Sequence, residues 1–225
     1  MNQVWDKIED LALLFINKFS LSGDIISSAN EQGWQNYIFQ SSKYRRAHVE
    51  IVDFRNTHKI YILHTTVFAH YNDPSPIFGF DAICGPGKIT GAFHDFSAGG
   101  DPEHYMLKWF RENTLKYNWQ KPRNLPEWAR NIFSESMVAA GNIKEELELN
   151  NLCTIATESL DYYLKNVGQT QDLGDFHMAQ NRYCFYQKQN PQVVNSMVAM
   201  GIEESKIRRF VDEVLFPESE SVSWI

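Results

Sequence analysis

Apolar residues at the start of the chain recur at three- and four-residue spacing. Trp5, Ile8, Leu11, Ala12, Phe15 and Phe19 fall on one face, which predicts an amphipathic helix over 4–19, with Ser22, Gly23 and Asp24 as breakers. From about Trp34 to Phe96 the pattern turns to β, and β-branched and aromatic residues dominate. Breakers at Arg55 to Thr57, Asn72 to Pro76 and Gly85 to Gly87 divide this region into five predicted strands, 33–41, 44–54, 59–68, 77–84 and 88–96. The connections are short enough for hairpins, so the expected arrangement is an antiparallel meander. The helical period returns after Asp101 with Tyr105, Leu107, Trp109, Phe110 and Leu115, followed by a segment punctuated by Pro122 and Pro126. Further helices are predicted over 145–166, 172–189, 192–200 and 203–215, the last with Ile207, Phe210, Val211, Val214 and Leu215 on one face. This order excludes a doubly wound parallel fold. An α/β architecture with helices packed on the faces of an antiparallel sheet buries all the apolar stripes.

At 225 residues with 43% apolar and 22% charged positions, the chain has the composition of an ordinary globular protein, expected to form one domain over 1–225. No apolar run is long enough for a membrane span, and Asp6, Glu9 and Asp10 stand where a signal peptide would be basic, so a cytoplasmic protein without membrane or anchor is expected. A net charge of −7 argues against a nucleic-acid-coating surface. Cys84, Cys153 and Cys184 are odd in number and far apart, which gives neither a disulfide framework nor a paired metal motif and fits a reducing compartment. Aromatic residues, 14% of the chain, suit either an aromatic core or a pocket for a flat ligand.

Strand alternation makes certain polar residues informative. His48 and Glu50 share a face of one strand, His64 follows Ile62 and Leu63 on the next, and Asp81 is set in Ile77-Phe78-Gly79-Phe80-Asp81-Ala82-Ile83. A carboxyl in an apolar strand costs desolvation energy, so it either finds a donor or becomes a poised acid. Two imidazoles and two carboxyls on adjoining strands could form one acid/base cluster. Each also has a plain structural reading: a hydrogen-bonded core histidine for His48 or His64, a surface pair with Arg45 or Arg46 for Glu50, a strand-end carboxylate for Asp81. The spacings match no compact metal motif, Gly85-Pro86-Gly87-Lys88 lacks the Walker spacing and reads as a hairpin turn, and His94, Asp95 and Ser97 lack the nucleophile elbow of a hydrolase.

Taken together, Arg46-Ala47-His48-Val49-Glu50, Ile62-Leu63-His64, Pro76-Ile77-Phe78-Gly79-Phe80-Asp81, Gly85-Pro86-Gly87, Leu125-Pro126-Glu127-Trp128, Ile132-Phe133-Ser134-Glu135 and Val214-Leu215-Phe216 resemble the ferredoxin-dependent bilin reductases over nearly the whole chain. The resemblance implies a three-layer α/β/α sandwich with a central antiparallel sheet, which agrees with the pattern. It implies four-electron reduction of biliverdin IXα by an oxidoreductase with no bound cofactor and with reduced ferredoxin as external donor. By the same resemblance Asp81, His64 and Glu50 are catalytic, Asp81 as the central proton donor and His64 as its partner. His48, Arg123 and Thr90 are substrate-binding, Arg123 toward a propionate.

The family usually carries an Asp at a C-terminal helix boundary, and Lys188-Gln189-Asn190-Pro191-Gln192 has none. With that feature the chain is similar to the phage-encoded branch, and phycoerythrobilin through 15,16-dihydrobiliverdin is the expected product; Glu50 favours phycocyanobilin instead. A monomer is expected. A basic patch of Lys43, Arg45 and Arg46, or of Lys206, Arg208 and Arg209, would receive an acidic ferredoxin. The competing classes are a bilin carrier or lyase without proton donors, and an unrelated binding domain whose aromatics are only core.

Overall fold

The computed structural model describes residues 3–31, 33–170 and 174–219. Helix α1 (Gln3–Ser22) opens the chain and is followed by strands β1 (Asp24–Glu31), β2 (Trp34–Gln40), β3 (Tyr44–Phe54), β4 (Ile60–Ala69), β5 (Ile77–Gly85) and β6 (Lys88–Ser97). Helix α2 (Tyr105–Thr114), a 3-10 turn (Trp128–Asn131) and the short strand β7 (Val138–Ala140) come next. The chain then runs through α3 (Glu146–Asn166), α4 (His177–Gln187), α5 (Pro191–Ala199), α6 (Glu204–Phe210) and a π-helical turn (Val211–Leu215). The strands form one antiparallel sheet in chain order, β1 to β7. The expected meander is present with two more strands than the pattern predicts. β1 is exposed along its whole length, so it shows no burial alternation, and β7 has only three residues. The predicted helix over 172–189 begins only at His177; part of its predicted start lies outside the described residues.

Alternation along the strands divides the side chains between two unlike faces. Leu63, Val67, Phe78, Phe80, Ala82 and Phe96 face α1, α2 and α3 in a dry core with Ile8, Phe15, Phe110, Leu152 and Tyr163. Phe15 meets Phe80 edge-on at 5.6 Å, and Phe96 stacks on Phe110 at 4.6 Å. On the opposite face Trp34, Val52, Phe68 and Ile77 pack with Tyr183, Met197, Ile207, Phe210 and Leu215 from the C-terminal helices. That second layer does not close completely over the sheet, and the site lies in the gap. Among the described residues no helix is long and apolar enough to cross a membrane.

Candidate active site

Antiparallel pairing fixes which side chains meet. Glu50 on β3 stands directly opposite His64 on β4, and His64 directly opposite Asp81 on β5. The row extends to Asn36 on β2 and Phe93 on β6. Directly opposed residues have Cβ atoms about 5 Å apart, so three titratable groups from separate strands become neighbours. A one-residue slip in any hairpin would turn one of them to the dry face. The adjacent row holds Ile38, His48, Thr66, Gly79 and Asp95. A cavity of about 440 Å³ lies above the first row, with Glu50, His64, Asp81 and Phe93 on its floor. Tyr183, Asn190 and Met197 form its helical wall, and Arg123, Leu125, Trp128 and Phe133 another. A volume of this order suits a small organic molecule. Gly79 leaves room for the Tyr183 ring, because a Cβ there would lie 3.2 Å from the Tyr183 hydroxyl. That hydroxyl in turn accepts from Gln187 Nε2 at 2.8 Å.

Burial sets where the protons reside. Asp81 opens partly to the cavity, and desolvation alone pushes its carboxyl up to about 7. Glu50 is 5% exposed and is pushed up to about 8, first by burial and then by the charge of Asp81, against the lowering effect of a hydrogen bond from Trp34. The Trp34 Nε1–H donates to Glu50 Oε1 at 2.7 Å. Burial lowers His64 to about 4, and its Nδ1 lies 4.0 Å from Glu50 Oε2 without a hydrogen-bond partner among the described residues. His48 is held well below its ordinary value by burial and by the neighbouring His64 and Arg46. Its Nε2 meets Asn36 Oδ1 at 2.9 Å. An amide oxygen only accepts, so that nitrogen carries the proton. Burial thus disfavours the charged form of all four groups, holding the two imidazoles toward neutrality and the two carboxyls toward their protonated form.

The structure thus brings Glu50, His64 and Asp81 into one cavity-facing row, with His48 beside it. Among the described residues no hydrogen bond joins His64 to Asp81, and the acid oxygen found within 4.0 Å of a His64 ring nitrogen is that of Glu50. Arg123 lines the cavity from its rim, donating to the Thr90 carbonyl with its guanidinium 5.9 Å from the centre of the Phe93 ring. Thr90 also lines the cavity, but its hydroxyl donates to the Ile83 carbonyl at 2.9 Å, at the bulge where β5 and β6 shift register. A hydroxyl so engaged retains only acceptor capacity for a ligand.

Neither basic cluster forms the free patch the sequence suggests. Arg45 turns inward, its Nε on Gln180 Oε1 at 2.7 Å and its guanidinium over Phe68 and Tyr71. Arg46 donates to the Val214 carbonyl at 2.5 Å, while Lys206, Arg208 and Arg209 pair with Glu31, Glu204 and Glu213. His94 faces the dry core with Nδ1 on the Gly79 carbonyl at 2.7 Å, on the other side of the sheet from Asp95. No hydrolase set forms there.

Three residues escape sequence reasoning. Trp34 holds Glu50, and the only trace of this in the sequence is that it belongs to an alternating strand. Asp95 accepts from Ser97 Oγ at 2.7 Å, from Ser134 N at 2.9 Å and from Ser134 Oγ, so it ties the loop carrying Trp128 and Phe133 to the sheet. Asn190 caps α5 by accepting from Gln192 N at 3.1 Å and reaches the cavity wall, inside the segment that lacks an acid.

Comparison with known proteins places this geometry in context. The family model described as ferredoxin-dependent bilin reductase matches residues 12–217. The phycocyanobilin:ferredoxin oxidoreductase of Trichodesmium erythraeum is 28% identical over 196 residues, covering 82% of this chain and 71% of that protein. The enzyme of the same name from Prochlorococcus marinus strain MIT 9313 is 27% identical over 212 residues, covering 88% and 75%. Among solved structures, one of PcyX has a TM-score of 0.64 at 25% identity, covering 94% of this chain and 97% of that one. Phytochromobilin synthase from tomato, solved in complex with biliverdin, has a TM-score of 0.74 at 17% identity, covering 94% and 82%, a likeness of fold.

Proposed function

The chain belongs to the ferredoxin-dependent bilin reductases, which are oxidoreductases, and from that premise we propose that it binds biliverdin IXα in the cavity over the Glu50–His64–Asp81 row. The proposed reaction is a four-electron reduction. Reduced ferredoxin delivers the electrons singly, and four protons enter the product. Each added electron makes the tetrapyrrole more basic, so the site must hold acids ready at the reacting ring. Asp81, held toward its protonated form by burial and open to the cavity, supplies the first proton. His64 is neutral and passes a proton only transiently, while Glu50 is the second acid in the row. The aromatic and aliphatic walls keep water from the radical, and Arg123 at the rim offers a charged fork to a propionate.

The proposed product is phycoerythrobilin, formed through 15,16-dihydrobiliverdin. The observation that favours it is Asn190, a cavity-lining residue in a C-terminal segment that offers no acid to donate from that side. A second reading, reduction of the D-ring vinyl to give phycocyanobilin, is favoured by Glu50, an acid held toward its protonated form in the same row as Asp81. The carrier reading leaves the row of acids without a task. Anaerobic incubation with biliverdin and reduced ferredoxin, with chromatography of the bilins over time, separates all three. The expected result is transient 15,16-dihydrobiliverdin followed by phycoerythrobilin, phycocyanobilin would establish the second reading, and biliverdin bound but unchanged would overturn both.

A further inference from the structure

Glu50 is buried, and its two oxygens have different surroundings. Oε1 accepts the Trp34 indole N–H at 2.7 Å, whereas Oε2 lies on the His64 side, 4.0 Å from Nδ1. The indole is itself fixed: Phe210 packs edge-on at 4.4 Å between ring centres, and Lys206, anchored to Glu31, lies with Nζ 5.9 Å from the ring centre. Trp34 is opposite Val52, one row along the sheet from Glu50, so the contact runs diagonally between β2 and β3. We propose that Trp34 is the positioning residue for Glu50, its N–H claiming Oε1 as acceptor so that the acid proton sits on Oε2, toward His64 and the cavity. This rests on the reading of Glu50 as one of the proton donors to the bilin. An acid free to rotate would present either oxygen, and its proton would face the cavity for only part of the time.

The groups facing Glu50 are Trp34 and Asn36 from β2, His48 from its own strand, and His64 and Asp81 from β4 and β5, with Phe210 over Trp34 from α6. Burial opposes ionisation of Glu50, as does Asp81 when it is itself ionised, and the indole N–H favours it. Trp34→Phe keeps an aromatic ring in place and removes the N–H donor together with the second ring of the indole, which is buried. The titration midpoint of Glu50 should therefore rise in this variant. Its protonated C=O stretch, identified in infrared difference spectra by its loss in Glu50→Gln, should move to higher frequency, because the carbonyl has lost its hydrogen bond.

In turnover, Trp34→Phe should slow about tenfold whichever two-electron step Glu50→Gln slows, and the double variant should be no slower than Glu50→Gln alone. In the wild-type protein the Trp34 indole N–H resonance should titrate with the Glu50 midpoint and cease to do so in Glu50→Gln, a test that needs no folded Trp34 variant. An indole resonance indifferent to Glu50, or a Trp34→Phe variant whose carboxyl band and midpoint match the wild type, overturns the proposal. If those signatures appear while Glu50→Gln leaves both reductions at wild-type rate, the positioning stands and the donor role of Glu50 fails.

Discussion

At Asp81 it is burial, and not a partner, that keeps a proton near neutrality, and this has a consequence for stability that can be measured. The unfolded carboxyl ionises near its ordinary 3.8, the folded one near 7, so between those values the folded state holds the extra proton. Stability contributed by this residue is greatest at low pH and falls as pH rises through about 7, where the buried group must ionise. Asp81→Asn should therefore stabilise the fold at pH 8, by an amount on the order of 3 kcal/mol, and should differ little from wild type at pH 4. Urea denaturation at the two pH values measures it. His64 has the opposite slope: the unfolded imidazole binds a proton that the folded one refuses, so its contribution grows from pH 4 toward 6.5. At the cavity rim the Arg123 side chain is exposed and donates to the Thr90 carbonyl, and if its guanidinium receives a propionate, Arg123→Gln should weaken biliverdin binding about tenfold, with a much smaller effect on kcat. Absorbance titration and turnover separate the two quantities.

Between residue and fold stand the elements that hold the walls. The loop from Arg123 to Met137 contributes one side of the cavity, and Asp95 anchors it through Ser134. Asp95→Ala leaves the Ser134 N–H unpaired, so it should cost about 3 kcal/mol in urea denaturation and raise the bilin Kd, while the product remains the same. Five strands and six helical segments are legible in the sequence, the helices from apolar residues at three- and four-residue spacing and the strands from β-branched and aromatic runs between breakers. β1, Asp-Ile-Ile-Ser-Ser-Ala-Asn-Glu, is not, since an edge strand exposed on both faces has no such pattern to read. The candidate residues are individually legible as polar groups in apolar strands. Their order across the sheet is not, because register depends on the β3–β4 and β4–β5 turns and on pairing energies summed over many positions. Trp34 and Asp95 are hidden for the same reason, as each acts on a residue far away in sequence.

The whole molecule divides its two apolar layers between stability and chemistry. α1, α2 and α3 close one face of the sheet with interlocked aromatics and leave the strands rigid. The C-terminal helices close the other face only partly and leave a cavity above a row of titratable groups. A sheet packed from behind keeps Glu50, His64 and Asp81 in register, with the cavity on the helical side above them. We propose that Asp81 is the group that protonates the bilin once it has been reduced by an electron. The most direct measurement is an anaerobic reaction of Asp81→Asn with bound biliverdin and reduced ferredoxin, followed by electron paramagnetic resonance and by absorbance. The variant should bind biliverdin close to wild type, take up the first electron, and then hold a long-lived bilin radical with little product. Product formation at the wild-type rate, without an accumulating radical, would contradict it.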